Sequence, residues 1–230
     1  MAQGKGGGQP PRRTKAVKVR SSRRRSASST RWLDRQLNDP YVQGAQRAGY
    51  HSRAAFKLAE IDDRFKLLRQ GMRVLDLGAA PGGWTQIAVA RAGAGNVLAL
   101  DREEMAEVTG ARFLQGDFLE PDTIDRLRTM LHRPVDVILS DIAPSTTGHA
   151  GTDHLRIIAV AEAVLDFAEL TLSEGGALVV KVFQGGAEKE LLIRLRHMFE
   201  AVKHVKPPAS RKESPELYVV AKGFKGRSAS

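Results

Sequence analysis

Arg73-Val74-Leu75-Asp76-Leu77-Gly78-Ala79-Ala80-Pro81-Gly82-Gly83-Trp84 reads as a short buried strand, a glycine-rich turn and the start of a helix. In a doubly wound α/β sheet this first strand–turn–helix unit lies where ligands bind, at the carboxyl ends of the strands. Glycine lets the backbone approach a ligand without a Cβ between them, and a helix N-terminus favours an anionic group. The loop lacks the middle glycine of G-x-G-x-x-G, because position 80 is alanine, which disfavours a dinucleotide.

Outward from this unit, apolar runs alternate with helical patterns. Strands are predicted over Arg73–Leu77, Asn96–Asp101, Arg112–Gln115, Val135–Asp141, Ala177–Val182 and Leu217–Ala221. Helices are predicted over Gly83–Arg91, Thr123–Leu131, Asp153–Leu172 and Ala187–Phe199, the third with Leu155, Ile158, Leu165 and Leu172 on one face. Upstream, Ser52 is the expected N-cap of a helix carrying Ala55, Leu58, Ile61, Phe65 and Leu68 at helical spacing. Runs such as Val137-Ile138 and Val179-Val180 point to a mostly parallel sheet covered on both faces, a Rossmann-like α/β fold. The segment from Leu217 is expected as an antiparallel edge.

Acidic residues mark the strand ends. Asp101 closes the second predicted strand, 23 residues after Gly78, where a carboxylate can accept both ribose hydroxyls of an adenosine. Asp117 follows the third strand in Gln115-Gly116-Asp117-Phe118, and Asp141 ends the fourth in Ser140-Asp141-Ile142-Ala143-Pro144. One such acid is an ordinary turn residue. Three at successive strand ends after a glycine loop point to a nucleoside-containing cofactor.

Charge is distributed unevenly. The net +10 arises almost wholly from residues 1–30, which hold nine Lys or Arg and no acid; the other 27 basic residues face 26 acidic ones. Such an arm is drawn to polyanions, although a plain solubilising tail has the same composition. It is Arg- and Ser-rich like a transit peptide but lacks an apolar face, and it has no secretory h-region. No apolar run approaches the roughly 20 residues of a membrane span. Cysteine is absent, which excludes disulfides, thiolate metal sites and cysteine nucleophiles. The six histidines show no metal-ligand spacing, so no metal is assigned. The expected organisation is a basic arm over residues 1–29, one Rossmann-like domain over 30–223, and a short tail over 224–230.

The sequence resembles the FtsJ-like ribosomal RNA 2′-O-methyltransferases of the large-subunit uridine type, over about residues 26–221. The resemblance is carried by Ser28-Ser29-Thr30-Arg31-Trp32-Leu33, Tyr41-Val42-Gln43, Ser52-Arg53-Ala54-Ala55-Phe56-Lys57-Leu58, the loop Asp76–Trp84, Gln115-Gly116-Asp117, Ser140–Pro144, Val179-Val180-Lys181-Val182-Phe183-Gln184-Gly185 and Ser214-Pro215-Glu216-Leu217-Tyr218. It implies a class I methyltransferase fold with a seven-stranded sheet, and S-adenosyl-L-methionine as cofactor. It also implies a catalytic tetrad of Lys57, Asp141, Lys181 and Glu216. Cofactor contacts are expected from Gly78, Gly82, Gly83, Trp84, Asp101, Asp117 and Asp141.

The implied reaction is 2′-O-methylation of a uridine in the A-loop of 23S rRNA within the large ribosomal subunit, by a cytoplasmic monomer. Transfer RNA as substrate, or an assembly factor with weak catalysis, are the alternatives. Without the resemblance each site residue has a plainer reading: Lys181 snorkelling from a strand, Lys57 on a helix surface, Glu216 at a sheet edge and Trp84 in the core. RNA contacts are expected from the arm and from Arg47, His51, Arg53, Arg64 and Arg69, with Arg194, Arg196, Lys203, Lys206, Arg211 and Lys212.

Overall fold

The computed structural model describes residues 37–145, 147–184 and 189–226. The expected arm and most of the short tail lie outside the described residues. Seven strands form one sheet: Val74–Leu77 (β1), Val97–Asp101 (β2), Ala111–Gln115 (β3), Val135–Ser140 (β4), Leu172–Phe183 (β5), Phe199–Val205 (β6) and Glu216–Phe224 (β7). Their order is β3-β2-β1-β4-β5-β7-β6. The first five are mutually parallel, and β7 runs antiparallel to both β5 and β6.

Side chains of a strand alternate between faces, and here both faces are covered. Leu75 and Leu77 of β1 belong to one apolar cluster with Ile138, Val180 and Val219, under Pro121–Leu131 (α4), Ala150–Thr171 (α5) and Lys189–Met198 (α6). Val74 belongs to a second cluster with Val137, Val179 and Val220, under Ala54–Phe65 (α2) and Gly83–Ala92 (α3). The remaining helix among the described residues, Pro40–Ala48 (α1), lies on α2, with the Tyr41 ring edge-on to Phe56 at 5.5 Å.

Three details differ from the sequence expectation. The segment from Leu217 is antiparallel but lies inside the sheet, and β6 takes the edge. The reason is burial: Tyr218, Val219, Val220 and Ala221 are all buried and need a neighbour on each side, whereas the middle of β6 carries Glu200, Lys203 and His204 facing solvent, as suits an edge strand. Ser52 is not the cap of α2. The helix starts at Ala54 with Arg53 at the cap position, and the Ser52 hydroxyl is buried against α3, where a Cβ on Gly83 would come within 2.5 Å of it. Leu155 is exposed, because the apolar stripe of α5 starts at Ile157.

The chain turns from β1 to β2 on one side of the sheet and reaches β4 on the other. The crevice between the carboxyl ends of β1 and β4 is therefore the switch point, the favoured ligand position in an open α/β sheet.

Candidate active site

A cavity of about 560 Å³ opens at this switch point. Asp101, Asp117 and Asp141 all line it, as do Gly78 and Gly116. Gly78 has φ 76°, and a Cβ there would lie 2.7 Å from the Ile142 backbone nitrogen, so only glycine lets the loops after β1 and β4 approach this closely. The Asp101 carboxylate accepts from the backbone N–H of Ala80 and of Glu103, both at 2.9 Å, which ties the end of β2 to the glycine loop. Asp117 accepts from the Leu119 N–H at 2.9 Å in an Asx turn.

Gly82, Gly83 and Trp84, expected as cofactor contacts, stand behind the loop and do not line the cavity. The Trp84 indole is buried, its Nε1 donates to the Ala54 carbonyl at 2.8 Å, and its ring meets Tyr218 at 5.5 Å. A Cβ on Gly82 would strike the His51 ring. These residues clamp the loop onto the start of α2. His51 adds to the clamp, with Nδ1 2.8 Å from the Pro81 carbonyl and its N–H donating to Gln86.

The four expected catalytic residues come together beside the cavity. Lys57 Nζ is 2.7 Å from Glu216 Oε1, and Lys181 Nζ is 2.6 Å from Asp141 Oδ1. Lys181 also donates to the Asp141 carbonyl at 2.8 Å. Each side chain is mostly buried, so these pairs sit in a medium where charge interactions are strong and an unmatched charge is costly.

A fifth side chain joins the two pairs. The Tyr218 hydroxyl donates to Asp141 Oδ1 at 2.7 Å and accepts from Lys57 Nζ at 3.2 Å. The result is one chain of contacts, Glu216–Lys57–Tyr218–Asp141–Lys181. Strand register builds it: in the β5–β7 pair Lys181 lies opposite Tyr218, and Phe183 opposite Glu216. Glu216 and Tyr218 are two apart on β7, so they share a face. That spacing was the sequence signal for Tyr218.

Electrostatics follow from the geometry. Burial alone would raise the Asp141 pKa, but the Lys181 and Lys57 ammoniums and the bonds from Lys181 and Tyr218 outweigh it and hold the carboxyl below its ordinary value. Burial, the Asp141 and Glu216 charges and the bond to Asp141 push the Tyr218 phenol well above 10, so it remains a donor. Asp76 was not among the expected site residues and is fully buried at the end of β1. Its Oδ2 accepts from Thr85 Oγ1 at 2.7 Å, and its Oδ1 has no partner. Burial, reinforced by the Asp141 and Asp101 charges and opposed by the Thr85 bond, pushes it up to about 7.

The expected basic groups divide by position. Arg53, Lys206, Arg211 and Lys212 lie on the tetrad side, on the start of α2 and the β6–β7 connection. Arg69 precedes β1, and Arg194 and Arg196 precede β6, which puts them at the opposite edge of the sheet; Arg194 is paired with Asp166 at 2.6 Å across α5 and α6. Among the described residues no helix is long and apolar enough to cross a membrane, and no three His, Cys, Asp or Glu are grouped to hold a metal ion.

A seven-stranded sheet in this order, with acids at its carboxyl edge around a switch-point cavity, defines a Rossmann-like methyltransferase. Residues 50–224 match the model of the FtsJ-like methyltransferase family, and the chain belongs to that family. It is 58% identical over 213 residues to a Gluconobacter oxydans (strain 621H) protein named ribosomal RNA large subunit methyltransferase E, covering 93% of this chain and 79% of that protein. A Paramagnetospirillum magneticum (strain ATCC 700264 / AMB-1) protein of the same name is 56% identical over 222 residues, covering 94% and 91%. Among solved structures, a Plasmodium falciparum chain described as a ribosomal RNA methyltransferase superposes with a TM-score of 0.69 at 30% identity, covering 77% of this chain and all of that one.

Proposed function

We propose that the chain transfers a methyl group from S-adenosyl-L-methionine to a ribose 2′-hydroxyl in large-subunit ribosomal RNA, a uridine of the 23S A-loop. The names of its relatives support the RNA, and the cavity supports the cofactor. Three carboxylates around one cavity suit a ligand with ribose hydroxyls, an amine and a sulfonium. Asp101 would hold the ribose, Asp117 the adenine edge, and Asp141 the cationic end, with Gly78 giving backbone access. Gly82, Gly83 and Trp84 would fix the loop. When bound, the cofactor supplies an electrophilic methyl on a positively charged sulfur.

The observation that carries the reading is the double hold on Lys181. Its ammonium gives two N–H bonds to Asp141, through Oδ1 and the carbonyl. The third N–H is left for an incoming oxygen. Lys181 thus orients the 2′-hydroxyl so that a lone pair faces the methyl, and fixed orientation supplies much of the acceleration in such a displacement; as the O–CH3 bond forms and the S–CH3 bond breaks, the hydroxyl proton would pass to water. Asp141 borders both the cavity and Lys181, so one carboxylate registers acceptor against donor. Lys57, held by Glu216 and joined to Asp141 through Tyr218, helps Lys181 to keep that carboxylate ionised and in place.

The chain would work as a cytoplasmic monomer, where ribosomal subunits are made, with the basic arm and the basic residues of the tetrad side on the RNA. Incubation with labelled cofactor and large subunits, naked rRNA or bulk protein tests this. Label is expected in RNA at one ribose, and labelled protein with unlabelled RNA would overturn it.

A further inference from the structure

Asp39 sits between two arginines. Its Oδ2 is 3.1 Å from Arg53 Nε and 3.7 Å from Arg211 Nε, while its Oδ1 accepts from the Tyr41 N–H at the start of α1. Both arginines come from elements that build the tetrad. Arg53 stands at the cap of α2, one turn before Lys57, and Arg211 lies in the β6–β7 connection, five residues before Glu216. Arg53 is fixed further, since Nη2 donates to the Ala209 carbonyl at 2.6 Å. Arg211 is a third exposed at its side chain. Burial works against the Arg53 charge, as does Arg211 beside it, so this pair of cations needs an anion.

We propose that Asp39 is an internal stand-in for a phosphate of the RNA backbone, and that a phosphate next to the target nucleotide displaces it from Arg211. The proposal rests on RNA as the acceptor. Two guanidiniums converge on one carboxylate oxygen, and a guanidinium pairs with phosphate as readily as with carboxylate. A phosphodiester brings a charge of the same sign to the same donors. The exchange keeps the cations matched with and without RNA, and it selects a polyanion over a neutral acceptor at the mouth of the tetrad. Arg53 stays on Ala209 and Arg211 swings, so the connection holding Glu216 need not move.

The test uses the full chain, labelled cofactor and unmethylated large subunits, with kcat/KM followed over salt concentration. Arg211→Ala should flatten the plot of log kcat/KM against log salt by about one contact, roughly 0.7 in slope. Between about 50 and 200 mM salt the wild type then loses about 2.6-fold more than the variant. Arg211→Lys, which keeps the charge, should restore the slope. Asp39→Asn keeps the helix cap, because asparagine caps as well as aspartate, but removes the competing charge; it should tighten RNA binding with the slope unchanged. Cofactor affinity should be unchanged in all three. An unchanged slope in Arg211→Ala, or weaker RNA binding in Asp39→Asn, overturns the exchange while wild-type labelling of RNA still stands. Absence of label from wild type would instead remove the function on which it rests.

Discussion

Asp76 should make stability fall with pH across the neutral range. The folded protein holds its proton up to about 7, and the unfolded chain releases it near the ordinary 3.8. Between those values the folded state binds one more proton than the unfolded state, so unfolding free energy drops by about 1.4 kcal/mol per pH unit and levels off above the folded value. The group is fully buried, with no solvent screening to dilute the effect. Over the whole interval the loss is of order 4 kcal/mol, and from about pH 5 to pH 8 it is roughly 3 kcal/mol, a large part of a typical 5–15 kcal/mol.

Asp76→Asn has the shape of the protonated acid and cannot ionise. Its amide oxygen can still accept from Thr85. Urea unfolding of both proteins, followed by tryptophan fluorescence at several pH values, should give a wild-type curve that falls relative to the variant. Thr85→Val removes the one bond that opposes the rise, so its drop should move to higher pH. Parallel curves for wild type and Asp76→Asn would show that the carboxyl is already ionised at neutral pH, and the reasoning would fail.

Lys181→Ala should leave cofactor affinity intact while turnover falls by about 10²–10³-fold, the range for losing one preorganised donor; near-normal turnover in single-turnover assays would exclude its role. Tyr218→Phe should cost about 1–3 kcal/mol by stranding buried partners on Lys57 and Asp141, read by urea unfolding. Turnover of the same variant should drop, and Tyr218→Leu, which also loses the Trp84 contact, should be worse. Gly78→Ala must relieve a 2.7 Å contact at φ 76°, so calorimetric titration should show weakened cofactor binding with a stability loss of about 1–3 kcal/mol. Because the Asp141 carboxyl is held below its ordinary 3.8, its pairing contributes stability that is present above that value and is lost only as pH falls through the lower, folded one. No fall in turnover assignable to Asp141 should appear at mildly acidic pH, and an acid limb well above 3.8 would contradict the paired carboxylate.

The parts of the fold legible in the sequence are those where local and tertiary demands agree. Buried parallel strands need runs such as Val137-Ile138, and the turn at Gly78 needs a residue free to take positive φ. The tetrad was visible only through resemblance, because a lysine in an apolar strand has no local signature of its partner across the sheet. Strand β6 was hidden by its solvent-facing Glu200, Lys203 and His204, which do not distinguish an edge strand from the end of α6. Helix α1 is short and polar, although Asp39-Pro40 is a start signal, and its place depends on Arg53 and Phe56 elsewhere in the chain. The indole of Trp84 could face a ligand or the core in any sequence reading. Its N–H is matched by the Ala54 carbonyl, which only the packing of α2 on α3 supplies.

The antiparallel run of β7 has a consequence for where along the chain the site is encoded. Because its direction is reversed, it brings its first residues to the carboxyl edge, so Glu216 and Tyr218 reach Lys57, Asp141 and Lys181 from near the end of the chain. The cavity and its three acids are complete in sequence by Val160, yet the neighbours that hold Lys57 and Asp141 are not made until 58 residues later. In the order of the chain, the residues that line the cavity therefore all precede Lys181, Glu216 and Tyr218, so the cavity and the contact network beside it are encoded in separate stretches of sequence.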